Sequence, residues 1–151
     1  MSAWKRPVSV LVLIHTPDLL VLLLERAAHP GYWQSVTGSQ EEGENLAATA
    51  LREVGEETGI TAAPAALRDW REQRDFEIFT EWRHRYAPGV THNTEHVFSL
   101  EVPAPQAVRL APDEHTAYLW LPWHAAAEKC FSWTNRDSIL ALPQRLRPGD
   151  A

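Results

Sequence analysis

The segment 45–59 most constrains what this chain can fold into, because it combines a helical pattern with a clear start and stop. Apolar residues recur at the spacing of one helix face, at Ala47, Ala50, Leu51 and Val54. Asn45 is a residue type that caps helix N-termini, and Gly59 is the type that ends helices in a left-handed turn. We therefore predict an amphipathic helix that begins after Asn45 and ends at Gly59.

This predicted helix is strongly acidic on one side. Glu53, Glu56 and Glu57 are spaced i, i+3 and i+4, so their carboxylates project from adjoining positions and repel one another. Two interpretations are open: a solvated acidic face, or a set of oxygen ligands for a cation that relieves the repulsion. The carboxylates border the apolar stripe, which places them near the rim of the core and favours the cation.

The overall composition limits the function classes. The 151 residues carry 14 Lys and Arg against 20 Asp and Glu, a net charge of −6, so we expect no binding to nucleic acid or to an anionic membrane. Cys130 is the only cysteine, which excludes an intramolecular disulfide and fits a reducing, cytoplasmic location. No apolar stretch approaches the roughly 20 residues of a membrane-spanning helix. The sequence gives no indication of the oligomeric state.

The rest of the chain alternates strand-like and helix-like segments. Apolar and β-branched runs predict strands at 8–14, 19–24, 33–37, 70–79, 93–102 and 116–121. The first two are apolar on both faces and flank a turn, which predicts a hairpin in the centre of a sheet. Further helices are expected at 122–128 and 134–142, the second ending at Pro143. We expect one α/β domain over residues 1–151, with helices on the faces of a sheet.

A spaced motif surrounds the acidic helix. It consists of Gly38, five residues, Glu44, seven residues, Arg52-Glu53-Val54, one residue, Glu56-Glu57, one residue and Gly59-Ile60. This pattern matches the Nudix box without a departure, so the chain resembles the Nudix hydrolases. The resemblance implies the Nudix fold, a mixed β-sheet sandwiched between helices (α/β/α), and hydrolysis of a diphosphate linked to another group. It also implies Mg²⁺, with Mn²⁺ as a substitute, and hard oxygen ligands on a rigid helix suit such a cation.

The resemblance implies a role for each residue of the box. Glu53, Glu56 and Glu57 would ligate the metal, and Glu53 or a neighbouring glutamate would accept the proton of the attacking water. Arg52 would orient a carboxylate by ion pairing, so Arg52, Glu53 and Glu56 form the expected catalytic set. The remaining residues of the box would shape the loop and the helix end: Gly38, Glu44 and Gly59.

Nudix enzymes commonly recruit one more metal-binding carboxylate from outside the box. The candidates here are Glu77, Glu95 and Glu114. We choose Glu114, because it lies in a loop just before a predicted strand, from where a ligand reaches the helix. Glu77 lies in an apolar strand and fits an ion-paired structural residue as well as a residue that contacts the substrate.

Segments outside the box resemble one branch of the family, the bacterial dihydroneopterin triphosphate diphosphatases of folate biosynthesis. The matching stretches are 5–14, 33–39, 76–79, 83–91, 93–95 and 132–136. The resemblance implies hydrolysis of the triphosphate to dihydroneopterin monophosphate and pyrophosphate. A nucleoside triphosphate pyrophosphatase is the alternative, because a purine and a pterin present similar edges. A non-catalytic nucleotide-binding regulator is a remote alternative, since a pure binder has no use for the complete box.

A triphosphate needs cationic side chains beyond the metal. Lys5 and Arg26 are the candidates we select, beside the Arg83/Arg85 pair; a surface position is the alternative for Arg26. Thr37 and Ser132 offer hydroxyls to substrate oxygens, although each also fits a turn or a helix cap.

A pterin ring needs an apolar face and hydrogen-bonding groups in its plane. One segment offers both kinds of group and is our candidate for the ring: Phe76, Glu77, Ile78 and Phe79. Of the seven tryptophans, we expect only Trp33 and Trp133 near the site, because packing in the core explains most tryptophans.

Overall fold

The computed structural model describes residues 4–146, in which strands and helices alternate. The strands are β1 (Val8–His15), β2 (Leu20–Arg26), β3 (Trp33–Gln34), β4 (Val36–Ser39), β5 (Leu67–Glu77), β6 (His92–Glu101) and β7 (His115–Pro122). The helices are α1 (Leu46–Thr58), α2 (Trp123–Lys129) and α3 (Trp133–Arg145), and short 3₁₀ helices lie at Pro64–Ala66 and Thr80–Arg85. The predicted strands and helices are all present, with shifted ends.

The strands form one mixed sheet around β1. β1 pairs in parallel with β6 along its whole length, from Val8 opposite Thr94 to His15 opposite Glu101. β5 extends the sheet beyond β6 in antiparallel pairing. On its other edge β1 pairs with β4, while β2 pairs with β3 and β7, all antiparallel. The parallel pair makes β1 a buried central strand, as its continuous apolar run indicates.

β1 and β2 do not form the predicted hairpin. They pair at His15 opposite Val21 and then diverge. The segment 33–39 fills the wedge between them, since β3 pairs with β2 and β4 pairs with β1. The hairpin prediction is wrong because continuous apolar runs show that both faces of a strand are buried, but do not identify the neighbouring strand.

Helices cover both faces of the sheet, as predicted. The side chains of β1 alternate between the faces. Val10 and Val12 lie in one buried cluster with Val54 of α1, whereas Leu11 and Leu13 lie in a second cluster with residues of α2 and α3. The observed architecture is therefore α/β/α.

The strand β5 differs from its prediction at both ends. It begins at Leu67 and ends at Glu77, so Ile78 and Phe79 lie in the connection that follows. Its pairing with β6 is interrupted between Asp69 and Gln73 by a bulge. Such an irregularity bends a strand, and neither hydrophobic pattern nor turn residues signalled it in the sequence.

The last helix continues past the predicted stop. α3 reaches Arg145, with Pro143 inside its final turn. The guanidinium of Arg145 donates to Glu72 Oε1 at 2.8 Å and to the carbonyl of Trp70 at 3.4 Å, both on β5. These bonds hold the final turn against the sheet despite the amide hydrogen that proline lacks. Among the helices of residues 4–146, none has the length and apolarity needed to cross a membrane.

Candidate active site

The sequence of α1 fixes both of its ends. The Asn45 side chain accepts a hydrogen bond from the backbone of Ala48 at 2.8 Å, which satisfies a free amide of the first turn. Gly59 adopts the left-handed conformation with φ +75° and donates to the Gly55 carbonyl. The predicted helix is confirmed, and its rigid ends set where the acidic side chains point.

Arg52 joins the carboxylates of the loop and the helix. Its guanidinium forms a two-pronged pair with Glu44, with N–O distances of 2.6 and 3.1 Å. It also donates to Glu53 Oε1 at 2.7 Å and to Glu56 at 3.3 Å, and to the carbonyl of Ser39 at 3.0 Å. The bonds from Arg52 lower the pKa of Glu44 to about 2. With Glu41 at 3.2 Å, one cation therefore pairs with four carboxylates and ties the helix to β4.

Glu53 and Glu57 form the buried part of the acidic cluster. Their side chains lie side by side, and each acts on the pKa of the other. Burial is the main cause that raises the pKa of both carboxyls, because low-dielectric surroundings penalise the charged form. The backbone of Thr37 also donates to Glu57. Glu56 stands apart, since its side chain is more than half exposed and turns towards Arg52.

Because Gly38 has no side chain, the Glu53 carboxylate can lie directly against the backbone of β4. A β-carbon at this position would overlap the carboxyl carbon and both oxygens of Glu53. The backbone of β4 thus comes so close to the Glu53 carboxyl that any larger residue at position 38 would displace this carboxyl. This close approach is a physical reason for a glycine at position 38.

His115 lies beside Glu57, and Gln34 lies beside Arg26. No motif in the sequence pointed to either residue. The Gln34 amide bridges Arg26 Nη1 (3.2 Å) and His115 Nε2 (3.2 Å). Burial, followed by the charge of Arg26, lowers the pKa of His115 to about 4, so the ring is neutral at pH 7. Its Nε2 lies 4.0 Å from Glu57 Oε1, a contact without charge pairing.

A cavity of about 900 Å³ opens in front of this cluster. Its lining includes Glu53, Glu57 and Glu114 together with the cationic Lys5, Arg26 and Arg85. Burial, followed by repulsion from Arg85 and Arg26, lowers the pKa of Lys5 to about 8. The cavity thus brings carboxylates and cations to one place, an arrangement that fits metal-bound phosphates.

The three candidate carboxylates from outside the box all line this cavity, but in different settings. Glu114 is exposed, and its charge raises the pKa of Glu57, so it faces the acidic pair. Glu77 is bonded to Arg83 at 2.7 Å. Glu95 is buried on β6. Of the three, Glu114 is the one whose charge contributes to raising the pKa of Glu57, after burial and the effect of Glu53.

The predicted ring-binding segment lies along the cavity with an aromatic cluster beside it. Phe76, Glu77, Ile78 and Phe79 are all lining residues. Phe79 stacks on Trp82 at 5.0 Å between ring centres, and Trp82 meets Phe131 edge-on at 6.1 Å. Sequence reasoning missed Trp82 and Phe131, because no motif marked them.

The two tryptophans expected near the site differ. Trp133 is half-exposed and lines the cavity. Trp33 is not among the lining residues; it packs in the buried cluster under α2 and α3, with Lys129 Nζ 5.1 Å above its ring. The prediction for Trp33 is therefore wrong, because adjacent residues of a strand point to opposite faces and only Gln34 faces the cavity.

The candidate hydroxyl groups already have partners in the protein. Thr37 donates to the carbonyl of Val10 at 2.9 Å. Ser132 caps α3 and is bonded to the Thr134 hydroxyl at 2.9 Å. Both residues line the cavity, so each is placed to contact a ligand while also serving the structure.

The acidic pair passes a test for a divalent cation. Glu57 Oε1 is buried and has no hydrogen-bond partner within residues 4–146, which is a costly state for a carboxyl oxygen. The charge of Glu53 repels that of Glu57, and a cation bound between them would relieve this repulsion. Across the described residues, however, no three acidic or histidine side chains form a ready-made ligand set. Hard oxygen ligands, with positions left for substrate phosphates and water, are typical of Mg²⁺-type sites.

Comparison with known proteins matches this geometry. The family model described as the NUDIX domain matches residues 5–142. The dihydroneopterin triphosphate diphosphatase of Escherichia coli K12 is 49% identical over 141 residues, which cover 91% of this chain and 93% of that protein. The enzyme of the same name from Haemophilus influenzae is 40% identical, covering 92% of this chain and 89% of that protein.

A solved structure shows the same fold. The structure of the E. coli dihydroneopterin triphosphate pyrophosphohydrolase superposes with a TM-score of 0.85 at 48% identity, covering 91% of this chain and 95% of that chain. Enzymes of this family depend on a divalent metal, and the acidic pair on α1 fits one. The complete box, the α/β/α fold and these matches lead to one conclusion: the chain belongs to the Nudix hydrolase family.

Proposed function

We propose that this protein is a Mg²⁺-dependent pyrophosphohydrolase that converts dihydroneopterin triphosphate to dihydroneopterin monophosphate and pyrophosphate. The observation that carries the proposal is a single cavity lined by the acidic helix, by three cations and by aromatic side chains. Identity of 49% to a protein of that name over nearly the full length of both chains supports the substrate. One cavity thus accommodates both the triphosphate and the ring.

The phosphates are bound by cations on three elements. Lys5 precedes β1, Arg26 ends β2 and Arg85 ends a 3₁₀ helix, and all three line the cavity. Arg26 is held in place by Gln34 and by the face of Trp82, 4.7 Å from its guanidinium carbon. Such a fixed guanidinium keeps its fork available for phosphate oxygens.

The acidic helix would supply the metal ligands and the carboxylate that accepts the proton of the attacking water. We assign Glu53, Glu56, Glu57 and Glu114 to the metal, with Mn²⁺ able to replace Mg²⁺. A bound divalent cation neutralises charge on the phosphates and lowers the pKa of its water. Glu53 accepts the proton of the attacking water, and Arg52 holds its carboxylate in position through the 2.7 Å bond.

In the reaction, the water oxygen forms a bond to the α or the β phosphorus while that phosphorus loses its bond to the oxygen that bridges the two. The proton of the water passes to Glu53, and the phosphate-bearing fragment that keeps the bridging oxygen leaves with the bonding electron pair. Lys5, Arg26 and Arg85 stabilise the negative charge that develops on the phosphate oxygens. The pterin ring lies among Phe76, Ile78 and Phe79, with Thr37, Glu77 and Ser132 as polar contacts.

The proposed function is tested by product analysis. Purified protein is incubated with Mg²⁺ and dihydroneopterin triphosphate, in parallel with a nucleoside triphosphate panel and with a metal-free control. The expected result is pyrophosphate and the pterin monophosphate, formed with a higher kcat/KM than from any nucleotide and only with metal. A nucleotide that equals or exceeds the pterin substrate would reject the pterin assignment in favour of a nucleotide pyrophosphatase. Absence of all turnover would favour a binding protein.

The chain is proposed to act as one domain over residues 1–151 in the cytoplasm. The single cysteine supports a reducing compartment. Burial raises the pKa of the Cys130 thiol to about 12, so this cysteine is unreactive and takes no part in the chemistry.

A further inference from the structure

Two buried acceptor atoms on β6 lack a partner. Asn93 Oδ1 and Glu95 Oε1 have no hydrogen bond within residues 4–146. The residues are only 2% and 5% exposed, and both line the cavity. Unsatisfied buried acceptors are rare and costly in folded proteins, so this pair indicates an absent donor.

The two acceptors share one face of the sheet. Residues i and i+2 of a strand point to the same side, and contacts identify this side as the face covered by α3. The Asn93 amide nitrogen donates to Ser9 at 2.7 Å, and the Glu95 carboxyl is bonded to Thr134 of α3. These bonds fix both side chains and leave one oxygen of each without a partner.

One cation acts on this carboxyl through its charge while its own hydrogen bonds go to other groups. Arg74 on β5 affects Glu95 by its charge, but its guanidinium donates to the Thr134 carbonyl at 3.1 Å and to Glu72 at 3.1 Å. Burial is the main cause that raises the pKa of Glu95 to about 7. The surroundings thus do not supply the hydrogen-bond donors that an ionised carboxylate needs.

Apolar side chains line the cavity together with these acceptors. Leu11, Phe76, Ile78 and Phe131 all contribute to the lining. Apolar walls with a few fixed polar atoms are typical of a site for a flat heterocycle. A ligand that satisfies both acceptors must present two hydrogen-bond donors to them.

We propose that Asn93 and Glu95 select the substrate by accepting hydrogen bonds from the ring N–H and the neighbouring 2-amino group of a 2-amino-4-oxopyrimidine edge. A pterin has this edge, and guanine has it too. Adenine and cytosine instead place a ring acceptor beside the amino group, which would face an oxygen lone pair. The proposal rests on the proposed pterin function and names the residues that give it specificity.

The edge is tested first with the unmodified enzyme. Values of kcat/KM are compared for dihydroneopterin triphosphate, GTP, ITP and ATP with Mg²⁺. Hypoxanthine lacks only the 2-amino group of guanine, so the ratio of GTP to ITP isolates that group. We expect GTP to exceed ITP by at least about tenfold, because an analogue that leaves a buried acceptor unpaired is rejected. Equal values for GTP and ITP would overturn the proposal.

Two variants then test whether Glu95 causes the preference for GTP over ITP. Glu95→Met removes the acceptor with a side chain of similar size, and we expect the GTP to ITP ratio to fall to near one. Glu95→Gln keeps a neutral acceptor and is expected to retain part of the preference. The matched control is Glu101→Met at the exposed end of the same strand, which should leave the ratio unchanged. An equal loss for all four triphosphates would show that Glu95 is structural and would overturn the proposal.

A metal-free binding measurement separates this proposal from the proposed function. Titration of neopterin, which carries no phosphate, into the protein without metal reports the ring site alone. We expect binding that weakens at least about tenfold in Glu95→Met, and equal affinity in both proteins would overturn the inference. Failure to hydrolyse dihydroneopterin triphosphate, combined with a Glu95-dependent GTP to ITP ratio, would reject the pterin function and retain the ring edge.

Discussion

Buried carboxyls lie at two places in one cavity, and the unfavourable free energy of burying them is offset differently at each place. Glu53 and Glu57 lie side by side on α1, where the fixed guanidinium of Arg52 donates to Glu53. Glu95 lies on the other face of the sheet, where Arg74 is bonded elsewhere and one carboxyl oxygen has no partner. The first set is arranged for a cation, and the second for a neutral donor.

The difference follows from the local supply of charge. Three glutamates and one arginine on a single helix turn create a field that attracts a metal ion. A lone buried carboxyl has no such field and favours its neutral form until donors arrive. In the proposed mechanism the same residue type would therefore bind a metal at one end and recognise a ring at the other.

The largest expected effect tests the metal set. Glu53→Gln removes the charge that binds metal and accepts the proton, so we expect kcat/KM to fall on the order of a thousandfold. The free energy of unfolding should stay close to that of the unmodified protein, because the amide has the same shape. Steady-state kinetics and chemical denaturation measure the two quantities.

A matched substitution elsewhere gives the control for Glu53. Glu128→Gln makes the same change at an exposed position of α2 and should leave kcat/KM unchanged. If Glu53→Gln retained full activity, the assignment of this carboxylate would be wrong.

The second prediction moves the same carboxylate without changing its charge. In Gly38→Ala the new methyl group occupies the position of the Glu53 carboxyl, so Glu53 must shift. A displacement of this size is expected to lower kcat/KM on the order of a hundredfold. Kinetics with saturating Mg²⁺ test it, and unchanged activity would show that the position of Glu53 is not critical.

The third prediction concerns the pH dependence that Glu95 gives to the free energy of unfolding. Burial raises the pKa of Glu95 from 4.5 to about 7, so the folded protein binds more protons than the unfolded chain between these values. Its stability therefore falls as the pH rises through this window, by up to about 3 kcal/mol. Glu95→Gln cannot ionise and does not lose this stability.

Denaturation of the two proteins at two pH values measures this effect. Glu95→Gln should gain on the unmodified protein as the pH rises to 8, and the pH-dependent part of the difference should vanish below about pH 4. A difference that does not depend on pH would contradict the raised pKa. Glu101→Gln, exposed on the same strand, is the control and should show no such change.

The smallest expected effect comes from a glycine of the same helix. Gly55 has helical surroundings and open space where a β-carbon would lie. Gly55→Ala should stabilise the protein by about 0.5–1 kcal/mol, because alanine loses less backbone entropy on folding. Thermal denaturation should show a higher Tm with unchanged kcat/KM. A loss of activity here would contradict the expectation that a methyl group at position 55 touches nothing in the site.

The metal end of the site was predictable because its residues act through local geometry. Helix spacing places Glu53 and Glu57 side by side wherever the helix forms, and Asn45 and Gly59 set its ends. The two-pronged bond of Arg52 to Glu44 spans only eight residues. Such short-range relations are encoded in sequence order.

The ring end was only partly predictable, because its residues come from distant parts of the chain. Ser9, Asn93 and Thr134 meet around Glu95 through the pairing of β1 with β6 and the packing of α3. Glu95 was weighed in sequence only as a metal ligand. The tertiary structure gives it a different setting.

Residue type and spacing were sufficient to predict the family, the acidic helix with its caps and the burial of β1 on both faces. The divergence of β1 and β2, and the insertion of 33–39 between them, became visible only in the folded structure. The same is true of Trp33, which packs away from the cavity. The physical reason is that hydrophobic pattern specifies which faces are buried, whereas strand neighbours and cavity walls depend on contacts between residues far apart in the chain.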